Sequence, residues 1–88
     1  MLDLVKKALR IKSDVFDDEI SLLIEGAQLE LTTKGVFNQP VGDPLIGQAV
    51  VVYCKANFGI GNADSEKYQK SFDTIVKHLA CCKEYRGD

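Results

Sequence analysis

The stretch Asp43-Pro44-Leu45-Ile46-Gly47-Gln48-Ala49-Val50-Val51-Val52-Tyr53-Cys54-Lys55-Ala56-Asn57-Phe58-Gly59 decides the fold. Its first residue can accept hydrogen bonds from the free N–H groups that open a helix. Pro44 suits the first helical position, where a missing N–H costs nothing. Gly59 can take the left-handed conformation that ends a helix. Between these punctuation marks the chain is apolar on almost every side. At about 100° per residue, only Gly47, Gln48, Lys55 and Asn57 interrupt the coverage. A helix apolar all round is surrounded by other elements. One central helix must therefore organise the rest of the chain, and an aspartate at Ala49 should unfold it.

Working towards the N-terminus, Leu2, Val5 and Leu9, with Leu4 and Ala8 beside them, form a stripe predicting a first helix over 2–10. It is too short to persist without tertiary contacts. A second helix is predicted over 17–34. Asp17, Asp18 and Glu19 complement the dipole at its start, and Lys34 does so at its end. Ile20, Leu23, Ile24, Ala27 and Leu31 share an arc of about 100°, which is a core face. Gly35 reads as the residue just past the helix. Val36 and Phe37 are expected to fold back on the core, as apolar residues after such a glycine often do.

Towards the C-terminus, Gly59-Ile60-Gly61-Asn62-Ala63 reads as a loop. A last helix is predicted over 65–85, with Asp64 before it. Tyr68, Phe72, Ile75, Val76, Leu79 and Cys82 recur on one face. Arg86-Gly87-Asp88 reads as a frayed end. The fold class is all-α: a small four-helix domain around a central buried helix, one domain over 1–88.

Composition narrows the function. The hydrophobic share of 45% argues against disorder. With 11 basic and 13 acidic residues the net charge is −2, so no basic stripe announces nucleic-acid binding. The cysteines Cys54, Cys81 and Cys82 are odd in number and form no C-x-x-C pair, which speaks against a zinc site and for reduced thiols in a cytosolic protein. No signal peptide pattern is visible, and the Ala49–Cys54 apolar run is too short to span a membrane.

The candidate chemistry is thin. His78 is the single histidine and has no sequence neighbour to act as partner for general-base work. Asp17-Asp18-Glu19 lacks the alternating ligands of a calcium loop, and a helix start accounts for it. Gly59-Ile60-Gly61 follows a helix, where a phosphate loop would follow a strand. A Cys81–Cys82 disulfide would be strained inside a helix, so both read as packing residues. No catalytic, cofactor-binding or metal-binding residue is assigned. Leu22 and Leu29 differ from these. They lie seven residues apart, opposite the core face, and read either as scattered surface leucines or as a subunit contact.

The order of features resembles a known family. The residues that carry the likeness are Leu2 to Ile11, the Asp17-Asp18-Glu19-Ile20 helix start with Leu23-Ile24 and Ala27, and Gly35-Val36. Further on come Asp43-Pro44-Leu45-Ile46, Ala49-Val50, Tyr53 to Gly59, and Phe72-Asp73 leading to Leu79. Together they look like the small head–tail connector proteins of tailed bacteriophages, often labelled DNA-packaging proteins. The resemblance implies a non-enzymatic structural protein without a cofactor. It implies a ring of identical copies under the portal protein, extending the DNA channel and docking the next head-completion (stopper) or tail protein. DNA would pass through without sequence-specific binding, and no membrane is involved. The implied location is the virion head–tail junction, with host cytoplasm before assembly. Leu22 and Leu29 are the candidate subunit contacts. Val36, Phe37, Asn38, Ile60, Asn62, Tyr85 and Arg86 are the candidate partner-contact or refolding positions. The alternative reading is a small helical regulator that binds a protein partner or DNA.

Overall fold

The structure, a computed structural model, describes residues 1–58 and 63–87. Its elements are α1 (Leu2–Leu9), α2 (Asp17–Thr33), α3 (Pro44–Asn57), α4 (Ser65–Cys81) and α5 (Lys83–Arg86). There is no strand among the described residues.

α3 is the axis of the molecule and packs against α1, α2 and α4. Its start forms where Asp43 and Pro44 predict, while it ends at Asn57 with Phe58 extended, and the Gly59 expected to cap it lies outside the described residues. Asp43 Oδ1 accepts from the Leu45 and Ile46 N–H groups at 2.9 and 3.2 Å, and Pro44 fills the first turn. Ile46, Gly47, Ala49, Val50, Cys54 and Ala56 are buried, with Ala49 wholly inaccessible. Gly47 is a close-approach position. A Cβ built there would meet Leu4 Cδ2 at 3.2 Å, a tight contact that the tip of the Leu4 side chain would have to yield to by a few tenths of an ångström.

α2 ends in a double hydrogen-bonded cap. The Val36 N–H donates to the Leu31 carbonyl at 2.8 Å and the Gly35 N–H to the Thr32 carbonyl at 3.1 Å. Gly35 at φ 98° makes the reversal possible. Leu31 and Val36, brought together by it, are both fully buried. Phe37 does not follow Val36 inward and stays 63% exposed. The cap aims only the first residue after the glycine at the last helical turn, and the next one points away.

α1 ends in the same way with a less suitable residue. Arg10 adopts φ 61° and ψ 38°, while Ile11 N–H donates to the Lys6 carbonyl at 2.9 Å. Lys6 is the clamp between α1 and α2. Its Nζ lies 2.7 Å from Asp17 Oδ1 and 3.0 Å from Asp14 Oδ1. Asp17, and then Asp14, hold the ammonium pKa above its ordinary value. Asp17 Oδ1 is shut off from water, and Lys6 is the group that balances it.

The last predicted helix is interrupted. Cys82 is extended (φ −92°, ψ 123°), so α4 stops at Cys81 and a single turn, α5, follows. No glycine or proline causes this. The break turns Tyr85 back towards the start of α3, where its hydroxyl donates to Asp43 Oδ2 at 2.8 Å. Tyr85 is consequently buried at 9% exposure. The chain end is ordered through Arg86, and Gly87 follows at φ 80°. The expected fraying thus does not reach Arg86, and Asp88 lies outside the described residues. Phe72 anchors α4 in the core, edge-on to Tyr53 with ring centroids 5.2 Å apart, and Lys34 Nζ sits 5.8 Å from its ring centre. The Ser65 hydroxyl donates to the Ala56 carbonyl at 2.6 Å and joins the start of α4 to the end of α3.

Candidate assembly surface

The burial of one face of each helix determines what is left outside. α2 turns Ile20, Ile24, Ala27 and Leu31 inward. At about 100° per residue, its opposite face therefore carries Asp18, Leu22, Glu25 and Leu29. All four are exposed, Leu22 and Leu29 at 69% and 67%. The two leucines sit one above the other on the helix, flanked by the carboxylates of Asp18 and Glu25.

A second apolar feature lies on the α1 side. Met1, Leu4, Val41, Ile46, Gly47 and Val51 line a groove of about 740 Å³ between α1, the α2–α3 link and α3. The link forming one wall is pinned. Gln39 Nε2 donates to the Val36 and Gln28 carbonyls at 2.9 and 3.1 Å. Asn38 N–H donates to the Tyr85 carbonyl at 2.9 Å, and Asn38 Nδ2 to the Glu84 carbonyl at 2.8 Å. Asn38 and Tyr85, named separately from the sequence, are thus neighbours. Phe37 is exposed beside them, and Gly87 lies near its Cβ. Val36 is in the core, so contact through it requires the link to open. Arg86 is exposed at the end of α5. Ile60 and Asn62 lie outside the described residues.

The Asp43–Tyr85 pair joins the two ends of this region. Asp43 divides its carboxylate, one oxygen capping α3 and the other holding the phenol. The Tyr85 hydroxyl, helped by the two backbone N–H groups, keeps the carboxyl below its ordinary pKa against partial desolvation. In return the carboxylate, followed by burial, pushes the phenol above its ordinary value. A carboxylate engaged on both oxygens is a structural tie. Neither sequence neighbourhood points to it, because its partners are 42 residues apart.

The remaining reactive side chains are dispersed. His78 is exposed, with Nε2 3.9 Å from Cys82 Sγ. Cys81 is exposed and Cys54 buried, where burial raises its pKa to about 11. Among the described residues no group of three His, Cys, Asp or Glu side chains could hold a metal ion, and no helix is long and apolar enough to cross a membrane.

No curated protein and no solved structure gives a significant match. A family model described as "Phage connector protein" matches residues 1–86, nearly the whole chain. The chain thus belongs to the phage connector protein family.

Proposed function

We propose that this chain is a structural subunit of the phage head–tail junction, assembling as a ring under the portal protein. The ring extends the DNA channel and docks the next head-completion or tail protein. The observation that carries the reading is the Leu22–Leu29 stripe, about two-thirds exposed on a connector-family domain whose core is already closed without it. A ring subunit must bury extra surface through a heterologous contact that closes on itself, and an apolar stripe supplies such surface. The net charge of −2 suits a conduit through which DNA slides without adhering. The subunit works without catalysis or cofactor, sits in the virion, and occupies the host cytoplasm before assembly.

The test is to purify the chain with and without the portal protein of the same phage and to measure the mass of the species formed. A ring that co-sediments with portal is expected. Leu22→Glu with Leu29→Glu should abolish it while circular dichroism reports an unchanged helical fold. A chain that stays monomeric at high concentration and ignores portal would sink the proposal in favour of the helical-regulator reading.

A further inference from the structure

The α2 stripe has a counterpart on α4. With Phe72, Val76 and Leu79 buried, the outward face of α4 carries Lys70, Thr74, Lys77 and Cys81, and all four are exposed. The two stripes share one spacing. Asp18, Leu22, Glu25 and Leu29 are separated by four, three and four residues, as are Lys70, Thr74, Lys77 and Cys81. That is the interval at which two parallel helices present side chains to each other along a seam. Aligned in parallel, Asp18 faces Lys70, Leu22 faces Thr74, Glu25 faces Lys77 and Leu29 faces Cys81. Aligned antiparallel, the carboxylates face Cys81 and Thr74, and the lysines face the leucines.

We infer that α2 of one copy docks in parallel on α4 of the next, pairing Asp18 with Lys70 and Glu25 with Lys77 around Leu22 and Leu29. The inference rests on the ring reading and names its subunit contact.

Charge complementarity selects a second copy as the occupant, and selects unlike faces. α2 against α2 would leave both carboxylates of each stripe without a cation, and α4 against α4 would leave both lysines of each stripe without a carboxylate in either direction. The contact is therefore heterologous, the type that propagates from copy to copy until it closes. The receiving face is not purely polar. Ala80 and Lys77 line a shallow depression of about 510 Å³ with Lys34 and Asp73, which pair at 3.6 Å, over the buried Val76, so the apolar surface there comes from Ala80. The existing ties of α4 are weak competitors. Among the described residues Lys70 pairs with the exposed Glu66, at 3.8 Å, and the Thr74 hydroxyl is spent on the Lys70 carbonyl at 3.0 Å. Both stripes run about 16 Å, eleven residue-to-residue steps of about 1.5 Å each.

Charge reversal tests the pairing. Asp18→Lys with Glu25→Lys, or Lys70→Glu with Lys77→Glu, should each abolish the portal-bound assembly. The four substitutions together should restore it, because the charges are then exchanged across the seam. Register is tested by a disulfide. Leu29→Cys, in a chain carrying Cys82→Ser, should cross-link to Cys81 of the neighbour and give a ladder on non-reducing gels. Adding Cys81→Ser should remove the ladder. If the wild-type ring forms but survives each charge reversal and yields no ladder, the inference is overturned and the ring reading stands. If the wild-type chain forms no ring with portal, both fall together.

Discussion

Two helix ends in this protein solve one problem with different residues, and exchanging them should move stability in opposite directions. Arg10 closes α1 at φ 61°, where a side chain with a Cβ crowds the following carbonyl. That conformation costs about 1–2 kcal/mol for a residue other than glycine. Arg10→Gly removes the cost. The greater freedom of glycine in the unfolded chain returns about 0.4–1 kcal/mol of it. Arg10 is exposed, so little packing is lost. The net effect should be a stabilisation of about 0.5–1 kcal/mol. In a domain of this size that raises Tm by about 3–6 °C. Gly35→Ala reverses both terms at φ 98° and should destabilise by about 1 kcal/mol. Nothing lies within 4 Å of a Cβ built on Gly35, so the loss would be conformational and not steric. Urea unfolding of the two variants and of their combination measures the effect, with an unchanged slope as evidence that the unfolded state is comparable. The double variant should return close to the parent. If Arg10→Gly lowers the midpoint, backbone strain is not what governs the end of α1, and the reasoning fails.

The Asp43–Tyr85 tie should hold across a defined pH window. Asp43 has a depressed pKa, so its contribution is complete above the unfolded carboxylate value, about 4, and fades as pH falls through the folded value. Tyr85 is raised, so its contribution is complete below about 10 and fades as pH climbs through the folded value. Hydrogen exchange at the Asn38 amide, which the Tyr85 carbonyl accepts, should accelerate outside those limits. Lys6, also raised, weakens its own clamp at the alkaline end, so the tie is read as the difference between parent and Tyr85→Phe. The thiols should separate by reactivity. Raising Cys54 from 9.0 to about 11 leaves about 100-fold less thiolate at neutral pH, and burial blocks access as well. Maleimide should label Cys81 in the folded monomer and Cys54 only on unfolding. Rapid labelling of Cys54 in native buffer would show that the core opens.

Most of the architecture was legible wherever structure is set by neighbours in sequence. Asp43-Pro44 announced α3, and Gly35-Val36 announced the cap on α2 together with the burial of Val36. The failures lie where a distant residue decides. The break at Cys82 has no local signal, because it is imposed by Tyr85 reaching Asp43. Asp17 reads locally as a dipole partner for α2, yet its carboxylate is taken by Lys6 from another helix. Phe37 stays outside because the reversal at Gly35 aims only Val36 at the last turn of α2. Of the surface, the Leu22–Leu29 pair stood out because leucine opposite a core face is conspicuous. The lysines of α4 did not, since lysine on an outward face is ordinary. Their meaning comes from matching two helices residue by residue, which requires the outward face of each to be known.

The tie between Tyr85 and Asp43 also makes the end of the chain a drawstring. It closes a loop of 42 residues that contains α3 and α4, with a single phenol as the knot. Whatever takes hold of the chain beyond Tyr85 pulls on three things at once: the carboxylate that caps α3, the carbonyls that hold Asn38, and through Asn38 the wall of the apolar groove. Capture of the tail is thereby felt at the start of the central helix, with no rearrangement of the core between them.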